Sequence, residues 1–157
     1  MRSALLISFR LLKNATIASV EKIIIYTDGG ARNNPGPAGA GAVILADGKK
    51  IEIKKFLGNQ TNNWAEYEAV ALALQEAKKR GFAKRPIEVR LDSQLVAEQL
   101  SDNYQVKEAT LWPQYMKVHN LLVAHFPDAV FTHIPREQNK EADRLVNEAI
   151  DESGFPR

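Results

Sequence analysis

The chain has 157 residues, 45% hydrophobic and 25% charged, which fits one globular domain large enough to bury a core. It contains no cysteine, which excludes disulfides, zinc–thiolate sites and cysteine nucleophiles and fits a reducing compartment such as the cytoplasm. The formal net charge is +2, but Arg2, Arg10 and Lys13 fall in the acid-free first 20 residues; the other 18 basic residues face 19 acids, so the body carries −1. The overall charge is therefore weak support for a nucleic-acid partner, which would have to bind along a local groove.

Residues 1–20 form a basic, apolar N-terminal extension. Arg10 interrupts its apolar stretch and no small-residue cleavage site follows, which argues against a secretory signal. A loosely attached helix or extended tail is expected, with the globular domain over residues 21–157. No apolar run approaches the roughly 18 residues of a membrane span, so no membrane partner is expected.

Residues 23–28 are a short β-branched run that predicts a central strand. Asp28 to Pro37 is rich in glycine, asparagine and proline and reads as turn and loop. Gly41 to Ala46 and Ile51 to Phe56 follow as strands, separated by a turn at Asp47–Gly48, completing an antiparallel meander. Asn63 to Arg80 predicts a helix, with Tyr67, Val70, Ala71 and Leu74 at helical spacing and Gly81 as its stop. Ile87 to Asp92 alternates as a fourth strand. Helices are predicted over Gln94–Leu100 and Trp112–His125, the latter with Pro113 in its first turn. Asp128 to Ile134 predicts a fifth strand. Lys140 to Asp151 predicts the last helix, with Ala142, Leu145, Val146, Ala149 and Ile150 as an apolar stripe. The order β-β-β-α-β-α-α-β-α indicates an α/β fold with a mixed five-stranded sheet flanked by helices.

Four acids stand where these elements begin or end: Asp28, Glu66, Asp92 and Asp143. Each has a bland reading. Asp28 could start a turn. Glu66 could belong to a capping box with Asn63. Asp92 could cap the following helix, and Asp143 could be a first-turn acid favoured by the helix dipole. Glu68 reads as a solvated helix residue. If the four converge, they repel one another unless a cation neutralises them. Hard oxygen ligands suit Mg²⁺ and point to metal-assisted chemistry on phosphates. The glycines after Asp28 would let a substrate backbone approach.

The motifs occur together and in order. Tyr26-Thr27-Asp28-Gly29-Gly30, Asn34-Pro35-Gly36-Pro37, Thr61-Asn62-Asn63 with Ala65-Glu66, Leu91-Asp92-Ser93-Gln94 and Asn139 with Ala142-Asp143 and Leu145 resemble type 1 ribonuclease H, from about Lys22 to Ile150. The resemblance implies an endonuclease that cleaves the RNA strand of RNA–DNA hybrids and leaves 3′-hydroxyl and 5′-phosphate ends. It implies two Mg²⁺ ions, with Mn²⁺ able to substitute, held by Asp28, Glu66, Asp92 and Asp143. Asp28 and Asp92, on rigid strand ends, are expected to be direct or bridging ligands, and Glu66 also to sense the RNA 2′-hydroxyl. Gly29, Asn34, Asn62, Asn63 and Gln94 match positions that contact the hybrid, and Thr61 a position that contacts a DNA-strand phosphate. The asparagines also suit turns and caps. A monomer is expected.

Two departures stand out. Many family members carry a histidine on a flexible loop before the last helix. His133 has the matching spacing to Asp143, but His133-Ile134-Pro135 reads better as the end of a strand. The shortened loop then offers Arg136, which resembles the subgroup lacking the histidine. An arginine can hold a phosphate bidentately but cannot shuttle protons at neutral pH. The second departure is Ser101 to Glu108, short and mixed in charge, where some relatives carry a basic protruding helix. Affinity for the hybrid is then expected to be modest unless the tail at residues 2–13 contributes. A non-catalytic domain of the same fold, or another nuclease or integrase, are the competing readings. Retention of all four acids argues against the first, and the contexts of Thr61-Asn62-Asn63 and Asp92-Ser93-Gln94 against the second.

Overall fold

A computed structural model describes residues 21–155; the expected N-terminal extension, residues 1–20, lies outside the described residues. The elements are β1 (Ile23–Ala31), β2 (Gly36–Ala46), β3 (Lys49–Gln60), α1 (Asn62–Lys79), β4 (Ile87–Leu91), α2 (Gln94–Leu100), α3 (Trp112–His125), β5 (Val130–His133) and α4 (Lys140–Glu152). Short 3₁₀ turns cover Ala109–Leu111 and Arg136–Gln138. This is the order expected from the sequence. No helix among the described residues is long and apolar enough to cross a membrane.

The sheet order is β3-β2-β1-β4-β5. The first three strands are antiparallel neighbours, and β4 and β5 run parallel to β1. Thr27 pairs with Leu91, so Asp28 and Asp92 leave adjacent parallel strands at the same level. This register puts two of the four acids side by side before any helix is considered.

Alternation along β1 and β2 divides the core into two layers. Ile23, Ile25, Ala42 and Ile44 face α1, whose Tyr67, Val70, Ala71 and Leu74 are fully buried against them. Each large side chain in this layer contributes on the order of 1.5–3 kcal/mol of burial. On the opposite face, Gly39 and Gly41 lie under α4 and its buried stripe of Ala142, Leu145, Val146, Ala149 and Ile150. A Cβ on Gly41 would stand 2.5 Å from the Ala142 carbonyl oxygen and 2.8 Å from the Leu145 Cβ. Any side chain there would lift α4 off the sheet.

Three expectations are corrected. The loop read from Asp28 to Pro37 shrinks to Arg32–Pro35, because Gly29, Gly30 and Ala31 pair with Ala40, Gly39 and Ala38 in extended strands. Glycine marks close packing there as well as a turn. The fifth strand begins at Val130 and not Asp128, because the Ala129 amide donates to the Phe126 carbonyl in a turn. Glu68 is 4% exposed, not solvated. Its Oε2 accepts from Gln114 Nε2 at 2.7 Å, and both oxygens accept from Lys117 Nζ at 2.9 Å. Helix α3 covers the flank of α1 on which Glu68 stands.

Candidate active site

Asp28 stands within β1, Asp92 follows β4, and Glu66 lies on the second turn of α1. One carboxylate oxygen from each falls within 4.8 Å of the other two. Asp143, in the first turn of α4, is close enough for its charge to act on Asp28. All four line one cavity of about 460 Å³, together with Gly29, Arg32, Asn62, Arg136 and Asn147.

Local chemistry removes three of the bland readings. The cap of α1 is Thr61, whose Oγ1 accepts from the Trp64 amide at 3.2 Å, so Glu66 is not part of a capping box with Asn63. The cap of α2 is Ser93, accepting from the Val96 amide at 3.3 Å, so Asp92 has no capping task. Asp28 sits inside a paired strand and starts no turn. Asp143 remains a first-turn acid as well as a cavity residue.

Gly29 has a packing task besides the one expected. A Cβ there would stand 2.2 Å from the Ala65 carbonyl carbon and 2.4 Å from the Glu66 nitrogen. The missing side chain lets α1 press against β1, and this brings Glu66 to Asp28. Gly30 meets nothing closer than 3.9 Å.

Burial, then the charges of Asp92 and Asp143, pushes the Asp28 carboxyl from 3.8 up to about 8. Glu66 is held well above its ordinary value by burial first, then by Asp28 and Asp92, while the Gly29 amide acts in the other direction. Glu66 Oε2 is buried without a hydrogen-bond partner. A group of anionic oxygens that the fold holds together but does not neutralise fits a divalent cation.

The other expected residues divide. Gly29, Asn62 and Arg136 line the cavity, whereas Asn34, Thr61, Asn63, Gln94 and His133 are not part of its lining. Asn34 Oδ1 accepts from the Asn62 amide at 2.9 Å, and Asn62 Oδ1 from the Ala31 amide at 2.8 Å, so these carboxamides also bind the turn to α1. Gln94 is exposed at the start of α2. His133 is the last residue of β5 and is exposed. Arg136 is exposed on the 3₁₀ turn between β5 and α4.

Sequence reading missed Arg32, Asn139 as a buried tether, and Asn147. Asn139 is 1% exposed and its Nδ2 donates to the Thr27 carbonyl at 2.8 Å. Asn147 stands one helical turn after Asp143 and donates to its carbonyl at 3.0 Å. The i, i+4 spacing of these two was visible in the sequence; the position of Arg32 opposite α4 was not.

The chain matches the Reverse transcriptase-like family over residues 26–149. It is 41% identical to a bifunctional protein of Mycobacterium tuberculosis over 83% of this chain and 36% of that protein, so it spans about a third of that relative's length. It is 32% identical to the ribonuclease H of Thermoanaerobacter pseudethanolicus, covering 84% of this chain and 92% of the relative. A ribonuclease H1 solved in complex with an RNA/DNA hybrid is 47% identical, with a TM-score of 0.80, over 83% of this chain and 98% of that one.

Proposed function

The chain belongs to the type 1 ribonuclease H family, and from that premise we propose that it is a metal-dependent endoribonuclease that hydrolyses the RNA strand of RNA–DNA hybrids. The products would carry 3′-hydroxyl and 5′-phosphate ends. Residues 21–157 form the catalytic domain of this reading, acting as a monomer. The observation that carries it is the set of carboxylates of Asp28, Glu66 and Asp92 within 4.8 Å of one another, with Asp143 beside them in the same cavity.

Asp28, Glu66, Asp92 and Asp143 would hold two Mg²⁺ ions, for which Mn²⁺ can substitute. The donor set fits: hard oxygens, an orphaned buried Glu66 Oε2, and Asp28 and Glu66 carboxyls pushed upward by burial and then by neighbouring acids. When bound, such ions supply Lewis-acid activation of water and charge neutralisation at the cleaved phosphodiester. The chain's own residues orient the substrate. Asp28 lies in β1 and Asp92 directly follows β4, the strand paired with it, which ties both to the sheet. Glu66 is the candidate acceptor for the RNA 2′-hydroxyl, the group that distinguishes RNA from DNA. Gly29, Asn34, Asn62, Asn63 and Gln94 are the candidate minor-groove contacts and Thr61 the candidate DNA-phosphate contact. Arg136, on the cavity rim, would hold a phosphate oxygen.

The test is incubation with Mg²⁺ and labelled RNA–DNA hybrid, RNA duplex and DNA duplex. Cleavage of hybrid RNA alone, abolished by Asp92→Asn, is the expected result. Intact hybrid in both Mg²⁺ and Mn²⁺ would refute the reading.

A further inference from the structure

Arg32 belongs to none of the expected contacts, yet it lines the cavity of the four acids from the turn between β1 and β2. Its guanidinium spans α4. Nη1 pairs with Asp151 Oδ1 at 2.8 Å, and Nη2 lies 3.4 Å from Asn147 Oδ1 and 3.5 Å from the Asn147 carbonyl oxygen. Asn147 in turn donates to the Asp143 carbonyl at 3.0 Å. Residues 143, 147 and 151 are spaced one helical turn apart, so they form one row along α4 toward the turn.

The turn itself is fixed. The Arg32 amide donates to the Pro37 carbonyl at 2.9 Å, closing it, and the Asn34–Asn62 and Asn62–Ala31 bonds attach it to α1. The side chain of Arg32 extends this rigid unit to α4. The need for such a link follows from the supports of the four acids. Asp28 on β1, Glu66 on α1 and Asp92 just after β4 form the close trio, whereas Asp143 stands outside that trio on α4 and is exposed.

We propose that Arg32 is a positioning residue that sets the reach of Asp143 to the trio through Asn147 and Asp151, and so sets the affinity for the second metal ion. This rests on the metal-dependent reading above. An arginine suits the task better than a lysine, because its planar fork engages two partners on successive helical turns at once.

The experiment compares the parent chain with Arg32→Ala, Arg32→Lys and Asp151→Asn. Mn²⁺ is titrated calorimetrically into metal-free protein, and hybrid cleavage is measured across Mg²⁺ concentrations. Outer residues that orient metal ligands typically change metal affinity about 10–100-fold. Arg32→Ala is expected to weaken the later binding phase by about 10-fold or more and to raise the Mg²⁺ midpoint for cleavage in step. Arg32→Lys should fall between, and Asp151→Asn should shift the midpoint in the same direction. An Arg32→Ala protein with unchanged isotherm and midpoint overturns the proposal. So does a raised KM for hybrid at an unchanged metal midpoint, which would make Arg32 a direct substrate contact. If the parent binds Mn²⁺ but cleaves no hybrid, the ribonuclease reading fails while the calorimetric comparison still decides the role of Arg32. A parent that binds no Mn²⁺ overturns both.

Discussion

Asn139 donates its carboxamide Nδ2 to the Thr27 carbonyl over 2.8 Å, in a site where Asn139 is 1% exposed. Thr27 precedes Asp28, and Asn139 is the residue from which α4 starts toward Asp143. One buried bond therefore joins the two supports of a pair of acids. Asn139→Ala leaves the Thr27 carbonyl without this donor, at a cost of about 1–3 kcal/mol. For a chain of this size the midpoint of thermal unfolding should fall by roughly 2–4 °C per kcal/mol. Hybrid cleavage measured well below that midpoint should fall further than the loss of folded protein explains. Unchanged activity at full folding would show that the bond holds the fold but not the site.

The carboxylate group works against the fold when no cation is bound. Burial, then the charges of Asp92 and Asp143, raises Asp28, and burial, then the charges of Asp28 and Asp92, raises Glu66. Asp28→Asn removes one charge without changing shape. In chelator at alkaline pH it is expected to unfold at a temperature a few degrees higher than the parent, a gain on the order of 1–2 kcal/mol. Mg²⁺ should raise the parent's midpoint and raise that of Asp28→Asn less. Cleavage by the variant should be lost. A variant less stable than the parent in chelator would contradict the repulsion argument.

Much of this arrangement was legible in the sequence, and the gaps have physical causes. Alternation along Ile23–Thr27 and the stripe Ala142–Ile150 report burial directly, because each element's period is set by its own backbone. The Asp28–Pro37 segment misled because glycine serves both turns and close approach; only the positions of Ala65 and Ala142 tell which. Glu68 looked solvated because its neighbours on α1 say nothing of α3. Arg32 meets Asn147 across 115 residues of chain, a contact no local pattern records.

Glu68 also yields a stability test. Lys117 is its cation, with 38% of the lysine side chain exposed and 6% of the glutamate's. Lys117→Met would leave a buried carboxylate supported by Gln114 alone. Breaking a fully buried pair costs about 3–5 kcal/mol; water reaches this lysine, so about 1–3 kcal/mol is expected. Adding Glu68→Gln should recover much of the loss, because the charge that needed a partner is gone. Chemical denaturation of the single and double variants measures this. Strictly additive losses would mean that the two side chains do not interact.

Glu88 should shape the acid limb of unfolding. The hydrogen bond from Arg90, then that from Lys22, lowers its carboxyl from 4.5 to about 2. A depressed carboxyl stabilises the fold above its unfolded value of 4.5 and loses that contribution as pH falls through about 2. Glu88→Gln should therefore be less stable than the parent at neutral pH, by about 1–2 kcal/mol. The two should converge as pH falls from 4.5 toward 2. A constant difference across that window would assign the loss to packing.

Arg136 and His133 offer opposite expectations for the rate of cleavage. Arg136 lines the cavity, whereas His133 ends β5 and does not. If Arg136 holds a phosphate oxygen, Arg136→Ala should lower cleavage by about 10-fold or more, the worth of one hydrogen bond to a charged group. Arg136→Lys should restore part of the rate, because the charge returns without the bidentate fork. His133→Ala should stay within about twofold of the parent, as surface substitutions away from a site generally do. Loss of rate in His133→Ala, at an unchanged rate in Arg136→Ala, would transfer the role from Arg136 to His133.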